Sequence, residues 1–177
     1  MTETLASIHH DIKIELTGWD EPNNGRMLHV ADLYINGQNA NETYFKDWNR
    51  LDQRLEKYTM DSVDGKFVFV PSESGGFLIN GLNLEQIKLP YKGISTVTFL
   101  GNSFHDNLLL LIHSDEIIIV NLLNHVSTRV PFPEENIHWA ELNDKKDLLV
   151  TYYDKNSQTL KKEIFDLKKQ TTIQNEL

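Results

Sequence analysis

The chain has 177 residues, 40% of them hydrophobic, with 26 acidic and 17 basic side chains and no cysteine. This length supports one domain, 1–177, with a sizeable core, and the lack of cysteine excludes disulfides and thiolate metal sites and fits a reducing, cytoplasmic setting. No apolar run approaches the roughly 18 residues that cross a bilayer, the opening MTETLASIHHDIKIEL lacks a basic-then-apolar leader, and a net charge of −9 disfavours nucleic acid as a partner.

In chain order, 1–46 reads as an N-terminal hairpin region. Ile12, Ile14 and Leu16 alternate with Lys13, Glu15 and Thr17, the pattern of a half-exposed strand. A long turn, Gly18–Gly25, ends in Asn-Gly, Met27–Ile35 returns, and a second Asn-Gly follows at Asn36-Gly37. Over 47–60 the pattern changes. Trp48, Leu51, Leu55 and Tyr58 lie 3, 4 and 3 apart, one stripe of a short helix over about 48–58 with Asp47 as its cap. A strand starting near Leu55 is the rival reading. Three β units then follow, 61–93, 94–136 and 137–177.

The stretch from Asn107 to Phe132 shows why these are units. Its apolar runs Leu108–Ile112 and Ile117–Val120 are each strand length, separated by His113-Ser114-Asp115-Glu116. A run apolar at every position buries both faces, so this hairpin belongs in the interior. Slid back by 41 residues, Leu108-Leu109-Leu110-Leu111 falls on Phe67-Val68-Phe69-Val70, Ile118-Ile119-Val120-Asn121 on Phe77-Leu78-Ile79-Asn80, and Leu123-Asn124 on Leu82-Asn83. A third copy begins 40 residues on at Asp147-Leu148-Leu149-Val150, with Ile164-Phe165-Asp166-Leu167 matching Ile119-Val120-Asn121-Leu122 after a loop longer by five. Each copy reads as a four-stranded antiparallel β-meander, and its length resembles one blade of a β-propeller, for which about 40–45 residues is typical. The expected fold is all-β with one short helix, as a small or incomplete propeller or a sandwich of sheets.

Motifs that carry chemistry are scarce. His113-Ser114-Asp115 has the residue types of a hydrolytic triad, but sequence neighbours on an extended backbone point apart, so it reads as a turn. Pro71-Ser72-Glu73-Ser74-Gly75-Gly76 lacks the first glycine and the following helix of a nucleophile elbow. Asp61-Ser62-Val63-Asp64-Gly65 lacks the ligand ladder of a calcium loop. His9-His10-Asp11 would need a distant third metal ligand. No phosphate-binding or dinucleotide-binding glycine motif is present. No cofactor and no metal is expected.

What remains is charged surface. Residues 1–32 carry six acids against two bases, and 102–147 carry eight against three, so these two segments hold net charges of −4 and −5. Each contains a tryptophan close to carboxylates: Trp19, Asp20 and Glu21 in the long turn, and Glu134 and Glu135 in a link leading to His138, Trp139 and Glu141. Trp is enriched at binding hot spots and carboxylates attract Lys and Arg, so these eight residues form the candidate site for a basic protein partner. In size, acidity and lack of cysteine the chain resembles the small cytosolic immunity proteins that bacteria pair with secreted toxins. That resemblance implies a non-enzymatic inhibitor of a basic, nuclease-type toxin. The alternatives are a scaffold subunit of a larger propeller assembly and a small hydrolase with carboxylates or histidines gathered at one end of the sheets.

Overall fold

A computed structural model describes residues 3–20, 28–40, 59–70, 76–89, 99–132 and 136–167. The chain divides into two compact units, Met1–Ser95 and Thr96–Leu177. The regular structure of the described residues is nearly all strand, in four open antiparallel sheets. The helix predicted over 48–58 lies outside the described residues.

The first unit holds two sheets. Strands β1 (Glu3–Ala6), β2 (Ile12–Asp20), β3 (Leu28–Ile35) and β4 (Gln38–Asn39) form one meander in that order. As the alternation predicts, Ile12, Ile14 and Leu33 are buried while Lys13 and Glu15 pair with each other at 2.6 Å on the other side. Strand β2 runs further than its sequence suggests. A bulge between Leu16 and Gly18 shifts the register, and pairing continues through Gly18↔Val30 to Asp20↔Leu28. Trp19 and Asp20, predicted in a loop, therefore lie in a strand.

The second sheet of this unit is β5 (Phe67–Val70), β6 (Phe77–Asn80) and β7 (Gln86–Lys88). The predicted fourth strand is reduced among the described residues to one bridge, Asp61↔Val68. The loop at 7–11 is clamped onto this sheet. Buried Asp61 accepts hydrogen bonds from the Ser7 hydroxyl and the Ile8 N–H. The His9 ring covers Gly65, where a Cβ would lie 2.9 Å from it, and Gly65 also has φ +68°. The His10 ring occupies the place a Gly81 side chain would need, and its Nε2 contacts the Gly65 carbonyl. A side chain at either position would have to displace a histidine ring, and at Gly65 the left-handed φ adds backbone strain.

In the second unit, β8 (Phe99–His105), β9 (Leu108–His113), β10 (Glu116–Asn121) and β11 (Ser127–Pro131) form a four-stranded meander. Strands β12 (Asn136–Leu142), β13 (Leu148–Asp154) and β14 (Thr159–Phe165) form a three-stranded one, again one strand short of prediction among the described residues. The predicted interior hairpin is β9–β10, at the centre of its sheet and buried on both faces: Leu109, Leu111, Ile118 and Val120 on one, Leu110, Ile112, Ile117 and Ile119 on the other. The second set packs with Val130 and Phe132 against Ala140, Leu142, Leu148, Val150 and Tyr152, so the two sheets of this unit lie face to face over one core.

The repeat is real in three dimensions. Phe67↔Asn80 in the first copy becomes Leu108↔Asn121 in the next, and the pairs between them follow. The first turn of each copy has a left-handed residue at the matching place, Gly65, Asp106 and Lys146. The predicted register of the last strand is off by one. Leu148, the counterpart of Leu108, pairs with Phe165, so Asn121 corresponds to Phe165 and the intervening loop is longer by four residues rather than five. A one-residue slip exchanges faces. Ile164, matched in sequence to the core residue Ile119, is 65% exposed, while Phe165 turns inward and meets the Phe132 ring edge-on at 5.0 Å.

Candidate functional site

The turns at one end of each meander are built to a common plan. In the first copy, Asn80 Oδ1 accepts the Leu82 N–H, the Asn80 carbonyl accepts the Leu84 N–H, and Asn83 Oδ1 accepts the Glu85 N–H. In the second, Asn121 Oδ1 accepts from Leu123, the Asn121 carbonyl from His125, and Asn124 Oδ1 from Val126. Leu84 and His125 take the same left-handed conformation, φ 59° in each. Two asparagines three residues apart thus bracket a turn whose tip is held by side-chain-to-backbone bonds. The tip is tied to its neighbour in the same way twice: Gly81 N–H donates to the Lys66 carbonyl, and Leu122 N–H to the Asn107 carbonyl.

On this scaffold sits a residue with no packing role. Leu82 is 85% exposed, and Leu123, its counterpart in the next copy, is 73% exposed. Between the copies the turn residues Gly81, Leu84 and Glu85 have become Leu122, His125 and Val126, yet both leucines and both pairs of asparagines remain. The asparagines are explained by the turn. The leucines are not, because an exposed aliphatic side chain stabilises nothing by burial.

Other aliphatics gather at the same ends. In the first unit Ile8 and Val63 are also exposed, on the loops that His9 and His10 hold against Gly65 and Gly81. Asp64 lies there too, its carboxyl held down at about 2 by hydrogen bonds from Lys66 and Ser62. In the second unit Val126 is exposed beside Leu123, and a 3.1 Å ion pair from Lys146 to Asp106 joins the β12–β13 turn to the β8–β9 turn. Each unit therefore presents a rigid, apolar-tipped rim.

The sequence-predicted site residues are divided between the two units. Trp19 and Asp20 are in β2, opposite His29 and Leu28. Glu21, Glu134 and Glu135 lie outside the described residues. His138 is the extra residue of a bulge in β12 and is exposed, Trp139 is half-buried against the core of its unit, and Glu141 is exposed on the same strand. The rim leucines were within reach of sequence reading: Leu82-Asn83 and Leu123-Asn124 match in register, and a leucine repeated between two asparagines of a turn has no core to enter.

Among the described residues, polar groups in and beside the motifs weighed for chemistry are engaged in the fold, while Ser72, Glu73 and Ser74 lie outside the described residues. Ser7 is bonded to Asp61 directly, with no histidine between them. Ser62 donates to Asp64 and accepts from the Phe67 N–H. His113 is buried at the end of β9, and burial, aided by the Arg129 guanidinium, lowers its pKa to about 4. No group of three or more potential metal ligands occurs among the described residues. No helix among them is long and apolar enough to cross a membrane. No protein-family model matches the sequence, and no curated protein does.

Proposed function

We propose that this chain is a non-enzymatic protein-binding module that grips a basic partner with the apolar rims of its meanders. The single observation that carries this reading is the pair Leu82 and Leu123: the same exposed side chain, on the same hydrogen-bonded turn, in two copies whose neighbouring turn residues have diverged. A preorganised tip loses little entropy on docking, and a leucine removed from water there contributes directly to affinity. The net charge of −9 supports a basic partner. Charge complementarity raises the association rate, whereas buried apolar contacts set the lifetime of the complex. A toxin-neutralising role, as in immunity proteins, is the specific form of this reading, and it rests on composition.

Affinity capture from the source cell, quantified by mass spectrometry, tests it. Wild type and a Leu82→Ser/Leu123→Ser variant of equal melting temperature are compared. A basic protein enriched on wild type and depleted on the variant is the expected result. Equal capture by both, or no specific capture, refutes the reading.

A further inference from the structure

The last strand, β14, is the outer edge of its sheet among the described residues. It pairs with β13 over seven residues without a bulge, contains no proline, and Thr159 to Ile164 are all exposed. A regular, accessible edge is a template for another strand unless charge or irregularity blunts it. The sequence along this edge is self-complementary, and we infer that β14 pairs antiparallel with β14 of a second copy of this chain, about a two-fold axis at Lys162.

The register follows from geometry. With the axis normal to the sheet, directly opposed residues lie on the same face. Centring on Lys162 places Lys161 opposite Glu163 and Leu160 opposite Ile164, each twice by symmetry. The outward face then carries Leu160 and Ile164, 58% and 65% exposed in the single chain, as two apolar cross-strand pairs. The other face carries two Lys–Glu pairs. Every centre among Lys161, Lys162 and Glu163 sets like charges on the axis, but centring on Lys161 or Glu163 would also leave Leu160 or Ile164 facing Lys162. Within the chain Lys161 is ion-paired with Asp154 and Glu163 accepts a 2.6 Å hydrogen bond from the Tyr152 hydroxyl, so both side chains are already held on the face where the two-fold contact needs them. The one repulsive element is Lys162 against itself. Because a single strand edge buries little area, association is weak and concentration-dependent. The product is a six-stranded sheet continuous across the axis. This inference does not rest on the proposed rim function, since it uses none of the rim residues.

Sedimentation equilibrium of the full chain, from low micromolar to near-millimolar concentration, tests it. Wild type should approach dimer mass. Lys161→Glu or Glu163→Lys alone should weaken association by about tenfold or more, because each turns two attractive cross-strand pairs into repulsive ones. The double reversal should restore it. Lys162→Thr should tighten it, and Asp154→Asn, which removes only the in-chain partner of Lys161, should not weaken it. Melting curves of each variant confirm that the fold is kept, and Lys162→Thr, at an exposed position, keeps the test open if a reversal fails to fold. Monomer at every concentration overturns the inference, as does a dimer that Lys162→Thr leaves unchanged or a double reversal that fails to rescue.

Discussion

Asn80 and Asn121 hold equivalent places in successive copies of the repeat: each uses its side-chain oxygen to hold the N–H of an exposed leucine, at 2.9 Å in both. The turn is thus a rigid mount, and the leucine it carries is displayed rather than stored. Stability and the proposed binding role can therefore be probed separately.

Removing the mount should loosen the turn without opening the core. Asn121→Ala leaves the Leu123 N–H to solvent and should cost about 1 kcal/mol, the usual worth of such a hydrogen bond. Denaturant titration measures it. A cost above about 3 kcal/mol would place Asn121 in a larger network than the structure contains.

The β9–β10 hairpin should be the least replaceable part of the chain. Leu109 and Ile118 have no exposed surface, and truncating either to alanine should cost about 2–5 kcal/mol. A loss below about 1 kcal/mol in the same titration would mean that this face is open.

The last strand distinguishes pattern from pairing. Phe165→Ala removes a ring packed on Phe132 and should cost about 2 kcal/mol or more, while Ile164→Ala, on the exposed face, should stay within about 0.5 kcal/mol. The reverse order would restore the register that the sequence match suggests.

That contrast shows what was legible. The first two copies share turns of equal length, so an ungapped shift by one repeat predicts every pair between β5 and β6 from those between β9 and β10. The third copy has a longer β13–β14 loop, and apolar matching slid Ile164 onto Ile119, although the ladder sets Phe165 opposite Leu148. Matching side chains cannot count loop residues; hydrogen-bond pairing does. The bulge that extends β2 past Gly18 was hidden for a similar reason, since a glycine near a polar run reads as a turn. The candidate site was half visible. Charge pointed to the acidic segments, whereas Leu82 and Leu123 carry no charge and are marked in the sequence only by their shared register between turn asparagines.

Acid should destabilise the fold through His113. Burial, together with Arg129, lowers its folded pKa to about 4 from 6.5, so the unfolded chain takes up a proton that the folded chain refuses. This contribution is complete above the unfolded value and is lost as pH falls from 6.5 toward 4, an effect of about 2 kcal/mol between pH 7 and 5. Glu116 opposes it, its carboxyl raised by burial and by Asp115 against the pull of Arg129, and so easier to protonate when folded. Comparing wild type with His113→Leu over this range cancels the other carboxylates. The wild type should lose more stability than the variant, and parallel pH curves would remove His113 as the cause.

The most direct measurement is the binding kinetics of the captured partner by surface plasmon resonance, on three proteins of matched melting temperature. Leu82→Ser/Leu123→Ser should dissociate at least about tenfold faster than wild type, with a nearly unchanged association rate, because the apolar rim sets the lifetime of the complex. Charge reversal at Asp20, Glu21, Glu134 and Glu135 should instead slow association at low salt and leave dissociation nearly unchanged. A leucine variant that dissociates at the wild-type rate would contradict the rim as the binding surface.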